Sequence, residues 1–503
     1  MVRQTTKVIF FEILGVLSLV LMAAIGILAF MLASGPVELG IFRDDVERAL
    51  TNARDGRTVT VERLTLQWSP SERRMFVVAD SLSLKDSAGE EAGFANKAEL
   101  TLDAGAILLG KVEVLEADLR KGWIEVENVG PNRWTVAGDP MPEIRAGVLP
   151  QTPQEWLDRT NGVLTDVLVG LEAFSQTLEF EGLEFNNFDL RIIAEDGSTI
   201  GSIEAASGQF EKLENDVSIQ FAGDGQGLGL PEIFGISLDT YAGYQSLKAV
   251  LDVGVLPIAE LASRFGLQGL EESDLRLGTS FNAELARSEG LQQVGLVASR
   301  DDGTFSLGDW AGEISDITTS LVYLPTEDQV RIDFLQLASG RLNGRFEGEV
   351  SNVLATNALR RVALQSEEMT LDLTGLFEAP SDIRNLELEA DLSDDFTIIA
   401  VQSLEADIDT TRLQASGEFD WSVEHEEGEL PFTLDVTAEL VGDISKETIL
   451  AYWPVNLGRG ARNYVSDQLL SGNATEATAV ISIKPDSMAE GYLREEDLAV
   501  TFA

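Results

Sequence analysis

Residues 98–127 read AELTLDAGAILLGKVEVLEADLRKGWIEVE, and apolar and polar side chains take turns through most of that stretch. Leu100 and Leu102 alternate with Glu99, Thr101 and Asp103; Val112 and Val114 alternate with Lys111, Glu113 and Glu116. Gly105 and Gly110 bracket a short apolar turn, and after Gly122 a third run begins with Trp123, Ile124 and Val126. A period of two is that of a strand with one buried face. The stretch therefore predicts three short strands in an antiparallel meander, greasy on one side and wet on the other. A chain built from many such strands is constrained above all by what covers its apolar face.

The same pattern runs along most of the sequence. Thr58–Val61 and Leu64–Trp68 alternate cleanly, but the phase slips at Glu62-Arg63, which predicts a bulge. Met75–Leu84 leads into the turn Asp86-Ser87-Ala88-Gly89. Leu178–Phe185 passes through Asn186-Asn187 to Phe188–Ile193, and Ile200–Phe210 and Val217–Phe221 continue the meander. From Leu275 to Leu440 strand follows strand with little else between. Ala-Ser-Gly recurs at 206–208, 338–340 and 415–417, each time with a phenylalanine shortly after, and this suggests a structural repeat.

Helical signals are few. Val37–Asn52 can form a short helix with Ile41, Val46 and Leu50 on one side. Thr152 as N-cap, Pro153 at the first helical position and Glu155 two residues later make a capping box. Behind it Leu157, Leu164, Leu168 and Leu171 form one stripe, flanked by Trp156, Val163, Val167 and Phe174. Ile258, Leu261, Ala262 and Phe265 give a short helix over 257–266. Near the end, Ser445 caps a helix carrying Ile449, Leu450, Tyr452 and Trp453, and Arg459–Leu470 reads as another. Strand patterns return at Thr478–Ile483 and Leu498–Ala503, and ending inside an element reads as a partial chain.

Ile13–Leu32 carries no charge, and about 20 apolar residues span a bilayer. Arg3 and Lys7 precede it, while Glu38, Asp44 and Asp45 follow, so the positive-inside rule puts the N-terminus in the cytoplasm. The rival is a signal peptide cut near Ala33-Ser34-Gly35, but the apolar run exceeds the usual h-region, which favours an uncleaved anchor. The net charge of −49 argues against nucleic acid and against docking on anionic lipid surfaces. Cysteine is absent, which excludes disulfides, thiolate metal sites and a cysteine nucleophile. The one histidine, His425, sits in an acidic run without the partners that zinc or triad chemistry needs. No nucleotide-binding, metalloprotease or nucleophile-elbow motif is present. Asp407-Ile408-Asp409 lacks the spaced oxygens of a calcium loop, so no enzyme, metal or cofactor is expected.

Three features carry a resemblance. They are the apolar N-terminal segment followed at once by strands, the LTLDAGAILLGKVEVLEADL course, and a late motif. That motif is Tyr452-Trp453-Pro454, then Arg462-Asn463-Tyr464-Val465, then Leu470-Ser471-Gly472, with Tyr464 where a tryptophan is usual. On these the chain resembles the AsmA-like proteins of Gram-negative bacteria, most closely their YhdP branch. The resemblance implies a bridge-like lipid-transfer protein, fixed in the inner membrane by one helix and reaching through the periplasm towards the outer membrane. Its fold would be mainly β: a long twisted antiparallel sheet forming an open hydrophobic groove, with a few short helices. On this reading the segments are a cytoplasmic tip and anchor (1–34), an N-terminal AsmA-like β region (35–150) and the amphipathic helix (151–178). A repetitive β-groove region (179–442) and the helical motif with its strands (443–503) complete them.

The implied partners are phospholipids, the inner membrane and outer-membrane or envelope proteins. Candidate groove residues are Leu100, Leu102, Val112, Val114, Phe180, Leu183, Phe185, Ile481 and Ile483. Physical reasoning agrees, because a single sheet with one apolar face must cover it, and acyl tails can cover what protein does not. The alternatives are a closed sandwich core, a scaffold whose sheet edges pair with outer-membrane proteins during assembly, and a secreted β-helix enzyme or adhesin.

Overall fold

The computed structural model describes residues 35–502 apart from 55, 70–73, 103–112, 131–132, 142–151, 178–180, 226–233, 258, 260–272, 301–302, 308–309, 356–357, 373–379, 394–396, 425–429, 454, 456–458, 469–472 and 489–496. Ile13–Leu32, Val112, Phe180, His425, Pro454, Gly472 and most of 257–266 therefore lie outside the described residues. Among the described residues no helix is long and apolar enough to cross a membrane. Twenty-five strands and four α-helices are described, so the chain is mainly β. It divides into two compact units, residues 1–149 with 166–247 and residues 150–165 with 248–503.

In the first unit β1 (Val37–Glu38), β2 (Val59–Ser69), β3 (Arg74–Lys85), β4 (Glu91–Leu102) and β5 (Val114–Gly130) pair antiparallel in chain order. From Val126 onward β5 pairs with the short β6 (Arg133–Val136), on which β7 (Asp139–Pro140) folds back. On the other side of β5 lies β8 (Gly182–Ile193), in parallel, followed antiparallel by β9 (Thr199–Lys212), β10 (Val217–Asp224) and β11 (Phe234–Tyr241). The sheet is thus mixed, not purely antiparallel as the sequence predicts. Parallel neighbours need a crossover of a dozen residues or more. The segment between β7 and β8, which contains the predicted helix, supplies it. That helix is α2 (Pro153–Thr177), with the Glu155 amide donating to Thr152 Oγ1 at 3.2 Å. The N-terminal helix α1 (Arg43–Ala53) lays Val46 on the apolar face of β2. It also serves the β2 edge: Glu47 and Thr51 accept from the Val61 and Val59 amides at 2.8 and 3.1 Å. An edge strand with satisfied donors is protected from pairing with other chains.

One predicted boundary is not a boundary. β5 runs straight through Gly122, so residues 98–127 hold parts of two strands, not three. β8 runs straight through Asn186-Asn187. What the sequence shows there is a kink. Glu62, Ser81, Asn96, Lys121 and Asn187 fall on one row across β2, β3, β4, β5 and β8, and Ala205 in β9 lies beside it. Ser81, Lys121, Asn187 and Ala205 take positive φ, between 48° and 60°. At this row the inward positions step by three residues where they elsewhere step by two: Val61 to Leu64, Ala79 to Leu82, Ala95 to Ala98, Phe185 to Phe188, Ile203 to Ala206. The predicted slip at Glu62-Arg63 is therefore real, but the β2–β3 register does not shift, because β3 slips at the same level. Each strand carries two successive residues on its outer side there, which bends it. All ten stepping residues belong to a single core together with Val46, Leu100 and, among others, the partly buried Phe221 and Phe234.

In the second unit β13 (Arg276–Ala286), β14 (Gly290–Arg300), β16 (Trp310–Leu324), β17 (Gln329–Ser339), β18 (Leu342–Ser351), β19 (Arg360–Leu371), β20 (Ser381–Leu392), β21 (Ile398–Ile408), β22 (Thr411–Asp420), β23 (Thr433–Ser445), β24 (Asn473–Ile483) and β25 (Leu498–Phe502) pair antiparallel in that order. β15 (Gly303–Leu307) pairs with the start of β16, and β12 (Ser246–Pro257) precedes the run. Among the described residues no pairing closes this ladder into a barrel. Register shifts interrupt seven of its pairings, several in mid-strand. Two helices, α3 (Lys446–Tyr452) and α4 (Arg459–Gln468), sit between β23 and β24. As predicted, Ser445 Oγ caps α3, accepting from the Thr448 amide at 3.1 Å. The Ala-Ser-Gly triplets do not mark equivalent places: two lie inside β9 and β22, and the third ends β17.

Candidate functional site

Strand register decides which side chains share a face. In the second unit the pairings Phe281–Leu296, Leu296–Leu321, Leu321–Ile332, Gly348–Leu364, Leu364–Leu388, Leu388–Leu404, Leu404–Ala415, Ala415–Ala438, Ala438–Ala479 and Ala479–Val500 all fall on one side. Neighbouring rows add Val362–Ala390–Val401–Gly417–Val436–Ile481. This is an apolar strip across β13–β25. Most of its large side chains are only half-buried, Leu364, Leu388, Val401, Leu404 and Val436 among them. In the first unit, by contrast, the equivalent face is core: Leu64, Leu82, Leu100 and Phe188 are each at most 3% exposed.

Along one margin, at β19–β21, the strip is covered. Met369, Ile383, Ala406 and Ile408 are buried in a cluster against which Tyr452 of α3 packs. The Tyr452 hydroxyl donates to Asp409 Oδ2 at 3.0 Å. Burial and then that carboxylate push the Tyr452 phenol up to about 12. Tyr323 is likewise pushed up to about 12, by burial and by Asp328, to which it donates at 3.1 Å. Asp328 also accepts from the Leu354 and Ala355 amides at 3.0 and 3.1 Å, tying one hairpin turn to the next. A phenol whose folded value lies above its ordinary value of 10.0 contributes stability that is complete below pH 10 and lost as pH rises towards 12. Ultraviolet titration is expected to show two late tyrosines near pH 12, and Tyr452→Phe to remove one.

The opposite face is acidic. Glu387 faces Glu405 and Glu418 faces Asp435 directly across strands. Each such pair of like charges is destabilising by up to about 1 kcal/mol. Arginines relieve part of this, Arg331 on Asp333 at 2.7 Å, Arg345 on Glu347 at 3.3 Å and Arg412 on Glu405. Since exposed charges are screened by salt, raising ionic strength from about 0.01 M to about 0.15 M is expected to raise the melting temperature by about 2–4 °C. A fall in calorimetry would show that the ion pairs outweigh the repulsion.

The sequence-derived groove residues fall in both units. Leu100 is buried in the first unit's core; Leu102, Val114 and Phe185 pack partly buried against it. Leu183 is half-buried between Ala117 and Phe210. Ile481 and Ile483 lie on the half-buried strip of the second unit, opposite Val436 and Leu434. Of the late motif, Trp453 is buried, Arg462 donates to the Leu450 carbonyl at 3.1 Å and Tyr464 is exposed. The strip residues Leu364, Leu388 and Leu404 were not singled out by sequence, although they carry the same alternation. Among the described residues no group of three or more His, Cys, Asp or Glu side chains could hold a metal ion. The chain matches no protein-family model, no curated protein and no solved structure.

Proposed function

We propose that the chain binds phospholipid acyl tails along the apolar strip of its second unit and carries them through the cell envelope. The observation behind this reading is the half-exposure of a strip that runs across twelve hydrogen-bonded strands. Its backbone groups are paired within the ladder, so the strip offers area and no direction. Acyl chains bind such a surface at about 0.8 kcal/mol per buried CH₂, and a similar gain at every rung permits sliding. The acidic opposite face keeps that side in water. The apolar segment Ile13–Leu32 would anchor the chain in the inner membrane with the strands in the periplasm, in line with the resemblance to AsmA-like proteins. The groove would involve no catalysis and no cofactor.

Native mass spectrometry with lipid extraction on the purified chain tests this. Several phospholipids per chain are expected. A folded chain without lipid sinks the reading and favours a scaffold for outer-membrane protein assembly.

A further inference from the structure

Ser445 at the end of β23 and Asn473 at the start of β24 are register partners, yet the chain leaves the ladder between them to form α3 and α4. The excursion thus springs from two positions that already pair across the ladder. The helices have seven and ten residues, shorter than the roughly 12–15 at which isolated helices become marginal in water. They persist through what they touch. They hold each other by Lys446 Nζ on the Ser466 carbonyl at 2.9 Å and Arg462 on the Leu450 carbonyl at 3.1 Å. On the sheet, the Tyr452 ring lies on the cluster around Ile383 and Ile408, and its hydroxyl on Asp409. Where β23 approaches α3 its pairing with β24 shifts register between Val441 and Ile444, and Gly442 there has φ +139°.

We propose that α3 and α4 form a cover over one margin of the apolar strip at β19–β21, latched by the Tyr452–Asp409 hydrogen bond, and that opening it widens the surface available to an acyl chain. The second half of the proposal rests on the lipid-binding reading; the first does not. Closed, the cover occupies the same side of β19–β21 on which Leu364, Leu388 and Leu404 are half-exposed. Tyr452 and an acyl chain would compete for the cluster around Ile383.

Hydrogen exchange on the chain and on its Tyr452→Phe variant tests the cover. Losing one hydrogen bond is expected to speed exchange of residues 446–468 roughly five- to tenfold, with β20 and β21 unchanged. Equal acceleration of helices and strands, or none, overturns the cover. A second variant replaces 446–472 with a short glycine-containing turn. It should keep its strands and bind more of an apolar dye; if the strands melt, the helices are core and the proposal is wrong. Lipid extraction separates the two halves. More phospholipid on Tyr452→Phe supports the link, faster exchange with unchanged lipid overturns the link alone, and no lipid on any variant overturns the functional reading.

Discussion

Leu388→Asp is expected to strip phospholipid from the purified chain by at least about a hundredfold while leaving its strand signal in place. Leu388 lies mid-strip between Leu364 and Leu404 and is half-buried. In the empty protein a carboxylate there keeps water, so the cost to folding is about 1–2 kcal/mol, that of the lost apolar area. An acyl chain lying across it must remove that water. Burying an unpaired charge costs several kcal/mol, and about 1.4 kcal/mol is a factor of ten. Glu389→Gln, one residue away on the acidic face, should leave the lipid content unchanged. Equal lipid on Leu388→Asp and the parent chain would mean that the strip is not the binding surface.

Phe188→Ala is expected to destabilise the first unit by about 3–5 kcal/mol, as removal of a buried aromatic ring usually does. Phe188 is 1% exposed, and its ring lies over Gly122, where a Cβ would come within 2.7 Å of it. Phe185 meets it edge-on at 5.7 Å between ring centroids. Leu388→Ala on the half-exposed strip should cost only about 1–2 kcal/mol. Urea denaturation followed by strand circular dichroism checks the contrast. Similar losses at both positions would erase the distinction between a closed apolar face in one unit and an open one in the other.

Much of this architecture is legible in the sequence, because alternation is a local signal and needs no knowledge of neighbours. The capping box at Thr152 and the Ser445 cap were legible for the same reason. The row of kinks was not. Only the slip at Glu62-Arg63 could be seen within one strand, and whether kinks align depends on register, which no single strand contains. Ser81, Lys121 and Ala205 are not residue types that announce positive φ, and of the row only Asn187 is one that tolerates it readily. The parallel pairing of β5 with β8 was implicit in the long helical crossover but could not be told from a second antiparallel sheet. Of the candidate site, the apolar residues were readable. Which of them end as core and which remain half-exposed was not, since that depends on what the rest of the chain folds over them.

The paired ends of β23 and β24 bear on how such a protein can change. Because Ser445 already faces Asn473, whatever is looped out between them hangs from the sheet without setting its registration. Strand number and appended parts are then independent variables. A hairpin added to the ladder alters strand number, and an altered loop-out alters what lies on the sheet, with neither change forcing the other to be redesigned.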